Sequence, residues 1–349
     1  MEFPISLYYY NENINTQELD LSRGDDDYRK IYISDDGNKK IVIKHLSNTF
    51  SDNQRIEGWF RLMNEYRKTG IYCPNIIPNI HGEYIYHYTK NDRDFYVYAE
   101  EFATYKTGEA YKDDNKEYSE SFMPDVLRHL GKIASAKLNV IDWPSAYCLL
   151  EPFCPPDTTD ETTETAVAFL QYVEKNIPHR LPEAQNLYNL FTEVQNQIKD
   201  FYPSLPTSCF QADLNDSNIL VDSNGCFKGL IDFNLCGKEP ILNYTVREAL
   251  WAANSPEFFG ENERPLYYYD KELDNLRYKL FLENIGYIQE NYKFTDLEKS
   301  VFPILFRYMN SFWWSVLREI KYITDDETKI IQLFNWLEFQ LTRTDIYLP

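Results

Sequence analysis

The chain has 349 residues, 43% of them apolar and 26% charged, a balance that fits a soluble globular protein and excludes a disordered one. A net charge of −20 argues against a nucleic-acid partner, because phosphate backbones demand basic surface. No apolar run reaches the roughly 18 residues of a membrane span, and the opening Met-Glu-Phe-Pro-Ile-Ser lacks a signal-peptide pattern, so a cytosolic location is expected.

The length exceeds what one hydrophobic core comfortably serves, and the character of the sequence changes near Glu101, which predicts two domains, 1–101 and 102–349. In the first, Ile31–Ile33 and Ile41–Lys44 flank a turn cluster at 34–38 and predict a β-hairpin. Ser51-x-x-Gln54 has the form of a capping box; it opens a predicted helix with Ile56, Trp59, Phe60, Met63 and Tyr66 on one face, ended by Gly70. Strands are expected at Tyr84–Tyr88 and Phe95–Ala99, giving a sheet of five strands with one helix. Beyond Glu101, helical periods run over Pro124–Asn139, Thr165–Lys175, Pro182–Phe201, Lys271–Tyr292, Leu297–Ile323 and Thr328–Thr344. One β-rich insert, Ser217–Phe233, interrupts them.

That insert and its approach carry the chemistry: Gln211-Ala-Asp-Leu-Asn-Asp-Ser-Asn-Ile-Leu-Val-Asp, then Ser-Asn-Gly-Cys-Phe-Lys-Gly-Leu-Ile-Asp232-Phe. Asn224-Gly225 between apolar runs is a strong hairpin signal. With those two residues as the loop, Ser223 faces Cys226 and Asn218 lies opposite Ile231, beside Asp232. An amide oxygen and a carboxylate then converge, a hard-oxygen pair suited to Mg²⁺, which takes one or two protein groups plus phosphate oxygens and water. Asp213, in the loop entering the hairpin, is placed to accept a proton from an attacking hydroxyl.

This segment resembles the catalytic and metal-binding loops of the aminoglycoside phosphotransferase and choline kinase group, relatives of protein kinases. The group's His-Gly-Asp-x-x-x-x-Asn and Ile-Asp-Phe correspond to Gln211-Ala212-Asp213…Asn218 and Ile231-Asp232-Phe233. The resemblance implies an α+β, bilobal protein-kinase-like fold, with a small β-sheet N-terminal lobe holding one helix and a larger, mainly helical C-terminal lobe. It implies that Asp213 is the catalytic base, that Asn218 and Asp232 hold Mg²⁺, and that ATP or GTP is the co-substrate. Ile41-Val-Ile-Lys44 resembles the strand with the phosphate-binding lysine. Glu57 and Glu65 both lie off the helix's apolar face, so periodicity does not choose its partner; the family's usual position favours Glu57, thirteen residues before Gly70. Tyr98-Ala-Glu-Glu-Phe-Ala103 resembles the segment between lobes, where main-chain groups of Glu101, Phe102 and Ala103 would meet the base. Ser22-Arg-Gly-Asp-Asp-Asp27 occupies the place of the nucleotide-covering loop, with Arg23 and Gly24 offering N–H groups.

Two departures stand out. Gln211 replaces the histidine, and Asn234 stands where a second acidic residue is common. Glutamine both donates and accepts, so it can still brace the loop. Other chemistries lack their motifs: there is no Gly-x-x-x-x-Gly-Lys-Ser/Thr, no Gly-x-Gly-x-x-Gly, no His-Glu-x-x-His and no Gly-x-Ser-x-Gly. Six cysteines include no Cys-x-x-Cys, which speaks against structural zinc.

The expected activity is transfer of the γ-phosphoryl group from ATP or GTP to a hydroxyl of a small molecule such as an aminoglycoside, choline or similar amino-alcohol. The alternative is a catalytically silent nucleotide-binding module that serves as a partner surface or sensor. Residues 1–100 carry 12 basic and 16 acidic side chains, and residues 101–349 carry 23 and 39. The second part would therefore attract a cationic substrate. Trp251, Tyr308, Trp313 and Trp314, with carboxylates such as Glu248, are candidates for an aromatic, acidic acceptor pocket.

Overall fold

The computed structural model describes residues 3–10, 13–24, 26–115, 122–154 and 157–349. The chain divides into two compact units: Met1–Phe122 with Cys154–Pro156 and Gln211–Cys236, and Met123–Phe153 with Asp157–Phe210 and Gly237–Pro349. The 211–236 segment therefore folds with the N-terminal residues, although it lies far along the chain.

The first unit opens with strands β1 (Asn15–Asp20), β2 (Tyr28–Asp35) and β3 (Lys40–Ser47), followed by helix α1 (Asn53–Lys68). Strands β4 (Ile76–Ile77), β5 (Tyr86–Lys90), β6 (Arg93–Glu101) and β7 (Lys106–Thr107) and helix α2 (Gly108–Asn115) follow. The antiparallel sheet runs β1-β2-β3-β6-β4, with β5 also on β6, so it has six strands where five were expected. Alternation divides its faces. Tyr32, Ile41, Ile43, Val97 and Ala99 pack under Ile5, Leu7, Tyr8 and Tyr9 of the N-terminal segment. On the other face Tyr98 meets α1, with ring centroids 6.1 Å from Trp59 and 5.4 Å from Phe60. Helix α1 is capped by Asp52, whose carboxylate accepts from the Arg55 N–H; Ser51 is not the cap, and Gly70 follows the helix at φ +95°.

Between 207 and 240 lie four short strands, β8 (Thr207–Phe210), β9 (Ile219–Val221), β10 (Phe227–Leu230) and β11 (Gly237–Pro240). In the first unit β9 pairs with β10 and with β7. The hairpin turn departs from expectation. Its loop has three residues: the Asp222 N–H bonds to the Cys226 carbonyl, and the Asp222 carboxylate caps the N–H groups of Asn224 and Cys226. A bulge between Phe227 and Gly229 then absorbs one residue and restores the register, pairing Leu220 with Gly229 and Ile219 with Leu230. Asn218 accordingly still faces Ile231, whose N–H bonds to the Asn218 carbonyl at 3.0 Å. Gly229 sits at this bulge because a Cβ there would lie 1.9 Å from the Tyr72 carbonyl oxygen.

The second unit is mainly helical: α3 (Met123–Ala136), α4 (Glu161–Asn176), α5 (Leu181–Lys199), α6 (Ile241–Trp251), α7 (Lys271–Gln289), α8 (Asp296–Met309), α9 (Trp314–Tyr322) and α10 (Glu327–Thr342). Helices α3 and α7 cross closely at Gly131, where a Cβ would come within 2.3 Å of the Ile288 carbonyl oxygen. The span 297–323, expected as one helix, is two, because Asn310 leaves the helix to bond Arg277 and Gln340, both at 2.9 Å. Among the described residues no helix is long and apolar enough to cross a membrane.

Candidate active site

Three segments of the first unit meet at one point. Strand β3 brings Lys44, which pairs in register with Tyr98 of β6. The hairpin β9–β10 brings Asn218 at its start and, just beyond its end, Asp232. The Lys44 Nζ lies 3.2 Å from Asp232 Oδ1, joining residues 188 apart in sequence. It lies equally far, 3.2 Å, from Glu100 Oε1. Lys44 and Glu100 are buried, while the Asp232 side chain keeps 35% of its surface open. Burial acts to lower the Lys44 pKa, but the charges of Asp232 and Glu100 outweigh it and hold the ammonium well above its usual range. Burial likewise raises Glu100, with Lys44 opposing that rise.

Asp213 is aimed by its own loop. Asn215 Nδ2 donates to Oδ1 at 2.8 Å and Asn218 Nδ2 donates to Oδ2 at 2.7 Å. Burial, then the charge of Asp232, raise the Asp213 pKa above the ordinary carboxylate value; the two amide hydrogen bonds and Arg23 work the other way. Because the Asn218 amide nitrogen is spent on Asp213, its Oδ1 is left as an acceptor, and no described residue donates to it. Asn218 Oδ1 and the Asp232 carboxylate are hard-oxygen donors of the kind that suits Mg²⁺. Among the described residues no three His, Cys, Asp or Glu side chains cluster as a metal cage.

Gln211 ties the two loops together. Its Nε2 donates to the carbonyls of Ile231 (3.0 Å) and Asp232 (2.6 Å), and its Oε1 accepts from the Asp213 N–H at 2.8 Å. Its own N–H bonds to the Tyr66 hydroxyl of α1 at 3.0 Å. Ala212 and Asp232 hold positive φ, 64° and 55°, a conformation that non-glycine residues adopt only when neighbours over-determine it. The Gln211 bonds supply that constraint.

Other expected residues are placed differently. Glu57 is exposed and lies 3.8 Å from Arg61, and Glu65 bonds Lys68 at 2.7 Å, so neither helix glutamate meets Lys44. The face of α1 that meets the sheet is apolar, with Ile56, Trp59, Met63 and Tyr66 buried, and it leaves no acidic position there. Glu100 takes that place. Sequence reasoning missed it, although the β3–β6 register holds the signal, since Glu100 is two residues from Tyr98 and shares its face. At 101–103, the Glu101 N–H is committed to the Asn75 carbonyl (2.9 Å) and the Phe102 N–H to that of Lys40 (3.1 Å). The Glu101 carboxylate is held by Tyr72 and Asn75, and Lys40 lies 3.8 Å over the Phe102 ring. Of the three N–H groups expected to meet a base, only that of Ala103 makes no bond among the described residues.

In the 22–27 loop, Asp25 lies outside the described residues. The Arg23 N–H is tied to the Asp27 carbonyl at 2.8 Å, and the Asp27 carboxylate is neutralised by Arg29 at 2.6 Å. Of the aromatic residues expected in an acceptor pocket, Trp251 and Trp314 are exposed, whereas Tyr308 is fully buried. The Tyr308 hydroxyl is spent on Asp160, Glu248 is buried, and Arg247 already lies 4.8 Å over the Trp313 ring.

The family model described as the phosphotransferase enzyme family matches residues 23–243, which span Lys44, Asp213, Asn218 and Asp232. The chain belongs to that family. Two solved structures show how far the likeness extends. An amicoumacin kinase, hAmiN, in complex with AMP-PNP, Ca²⁺ and Ami is 13% identical at a TM-score of 0.53, covering 96% of this chain and 90% of its own. The microcompartment-associated aminopropanol kinase is 12% identical at a TM-score of 0.50, covering 97% and 93%. At such identities the likeness speaks for the fold, which is the α+β, protein-kinase-like fold. No curated protein matches the chain. The family match spans strands β2 to β11, helices α1 to α5 and the Asp213–Asp232 segment, and it ends at residue 243, inside α6.

Proposed function

We propose that this family member transfers the γ-phosphoryl group of ATP or GTP to a hydroxyl of a small molecule, with an amino-alcohol or aminoglycoside as the acceptor class. The observation that carries the reading is the convergence of Lys44, Asp232, Asn218 and Asp213, with direct hydrogen bonds from Lys44 to Asp232 and from Asn218 to Asp213, and with Gln211 bridging the two pairs. The two similar structures, one holding a nucleotide analogue and both named as kinases, support it.

Each side chain has a task in an in-line transfer. The Lys44 ammonium binds and positions the phosphates. Asp213, with both oxygens already oriented, aligns the acceptor hydroxyl and takes its proton. Asn218 Oδ1 and Asp232 would hold Mg²⁺, which when bound offsets charge on the phosphate oxygens. The Ala103 N–H and the carbonyls of 101–103 would meet the base. Gln211 keeps the Asp213 and Asp232 loops in fixed relation. Catalysis of this kind is positioning and electrostatics, so rate is lost when geometry is lost.

Calorimetry with ATP and with GTP, with and without Mg²⁺, tests the reading on the wild type, Asp232→Ala and Asp213→Ala. The wild type should bind a nucleotide in a metal-dependent way, and Asp232→Ala should lose that binding. Asp213→Ala should bind normally but turn over about 10²–10⁴-fold more slowly. Unchanged turnover in Asp213→Ala would remove the mechanism. A folded wild type that binds neither nucleotide would remove the function.

A further inference from the structure

We infer that Glu100, on strand β6 and not on helix α1, is the residue that positions Lys44 for nucleotide phosphates; this rests on the function proposed above. Lys44 faces two carboxylates at the same distance, 3.2 Å, but the two differ in what else they must do. Asp232 is the more open, with 35% of its side chain exposed against 7% for Glu100, and its other assignment is to a metal ion. When Asp232 turns to that task, Glu100 is the partner that stays.

The sheet explains why a strand glutamate can do this. Lys44 is opposite Tyr98, and Val42 is opposite Glu100, so Lys44 and Glu100 are diagonal neighbours on one face. Long side chains bridge such a diagonal. The Tyr98 ring, with the Lys44 Nζ 5.7 Å from its centroid, fills the space beneath the pair and packs against Trp59 and Phe60 of α1. The helix therefore meets the sheet through aromatic rings, and its nearest acidic candidates, Glu57 and Glu65, are occupied by Arg61 and Lys68 at the surface. A consequence follows for regulation by helix movement. Lys44 and its anchor belong to adjacent strands of one sheet, so displacement of α1 would not separate them.

The test is a double-mutant cycle read by ATP calorimetry, in Mg²⁺ and in chelator, with Glu100→Gln, Lys44→Met, the double variant and Glu57→Gln. Expected are a tenfold or greater loss of affinity in Glu100→Gln, no further loss when it is added to Lys44→Met, and wild-type affinity in Glu57→Gln. A purely structural role would act alike in both backgrounds. Should Glu100→Gln fail to fold, Glu100→Asp keeps the charge but withdraws it from Lys44, and an intermediate loss of affinity is expected. Wild-type affinity in the Glu100 variants, or an equal loss in Glu57→Gln, overturns the assignment. A folded wild type that binds no ATP removes the proposed function itself, and the role of Glu100 falls with it.

Discussion

Gln211 holds two loops through the hydrogen bonds of one neutral amide. Its amide makes two donations and one acceptance in a fully buried position, fixing Asp213 and Asp232 at once. Gln211→Ala would leave the Asp213 N–H and two carbonyls unpaired. An unfolding titration should show a loss of about 2–3 kcal/mol, and the rate should fall on the order of 10²-fold because both loops shift. Gln211→His should lie between, since a neutral imidazole has one donor and one acceptor for three bonds. A Gln211→Ala enzyme with wild-type rate would mean the loops hold themselves. The bracing capacity of Gln211 was legible from its donor and acceptor inventory once the resemblance had placed it where the family has histidine. Glu100 was not, because its meaning depends on which β3 residue faces which β6 residue, a long-range pairing no local pattern encodes.

Elements were legible where one face is buried and the other open, and illegible where that contrast fails. Helix α1 has a clear apolar stripe and was expected. Helix α6 was not, because Ile241 through Val246 are all buried along with Glu248, Ala249 and Leu250, which erases the 3.6-residue period. Its start is held by a buried carboxylate: Glu239 of β11 accepts from Ser145 and from Asn243 of α6, and the same Asn243 amide donates to the Tyr147 carbonyl at 2.9 Å. Burial pushes Glu239 up from 4.5 to about 7, against the opposing pull of Ser145, Arg247 and Asn243. The folded state therefore holds this proton more tightly than the unfolded state. Its contribution to stability is present at pH values below the unfolded pKa, is lost as pH rises through about 7, and is constant above that. Glu239→Gln removes the titration, so the variant should gain about 3 kcal/mol relative to the wild type between acid and pH 8. Urea unfolding of both proteins across that range checks it; parallel stability curves would show that folding leaves the Glu239 pKa unshifted.

At the scale of the whole chain, charge acts in opposite senses on the two proposed substrates. The protein carries −20, with 39 acidic against 23 basic side chains over residues 101–349. A nucleoside triphosphate approaches this field as an anion, and an amine-bearing acceptor approaches as a cation. Lys44 counters the first problem locally, since its ammonium is buried and screened little by salt. The acceptor gains from the long-range field, which salt does screen. Raising ionic strength from about 20 to about 200 mM shortens the Debye length from roughly 20 to 7 Å. Over that range kcat/KM for amine-bearing acceptors should fall several-fold, while kcat at saturation holds. Neutral alcohols of similar size should show no fall, and the KM for ATP should stay level or improve. Selection of amines by this field needs no cation–π cage, because the charge imbalance over residues 101–349 acts at long range. An identical salt response for amines and neutral alcohols would remove the field as a source of acceptor selection, leaving the acidity to solubility alone.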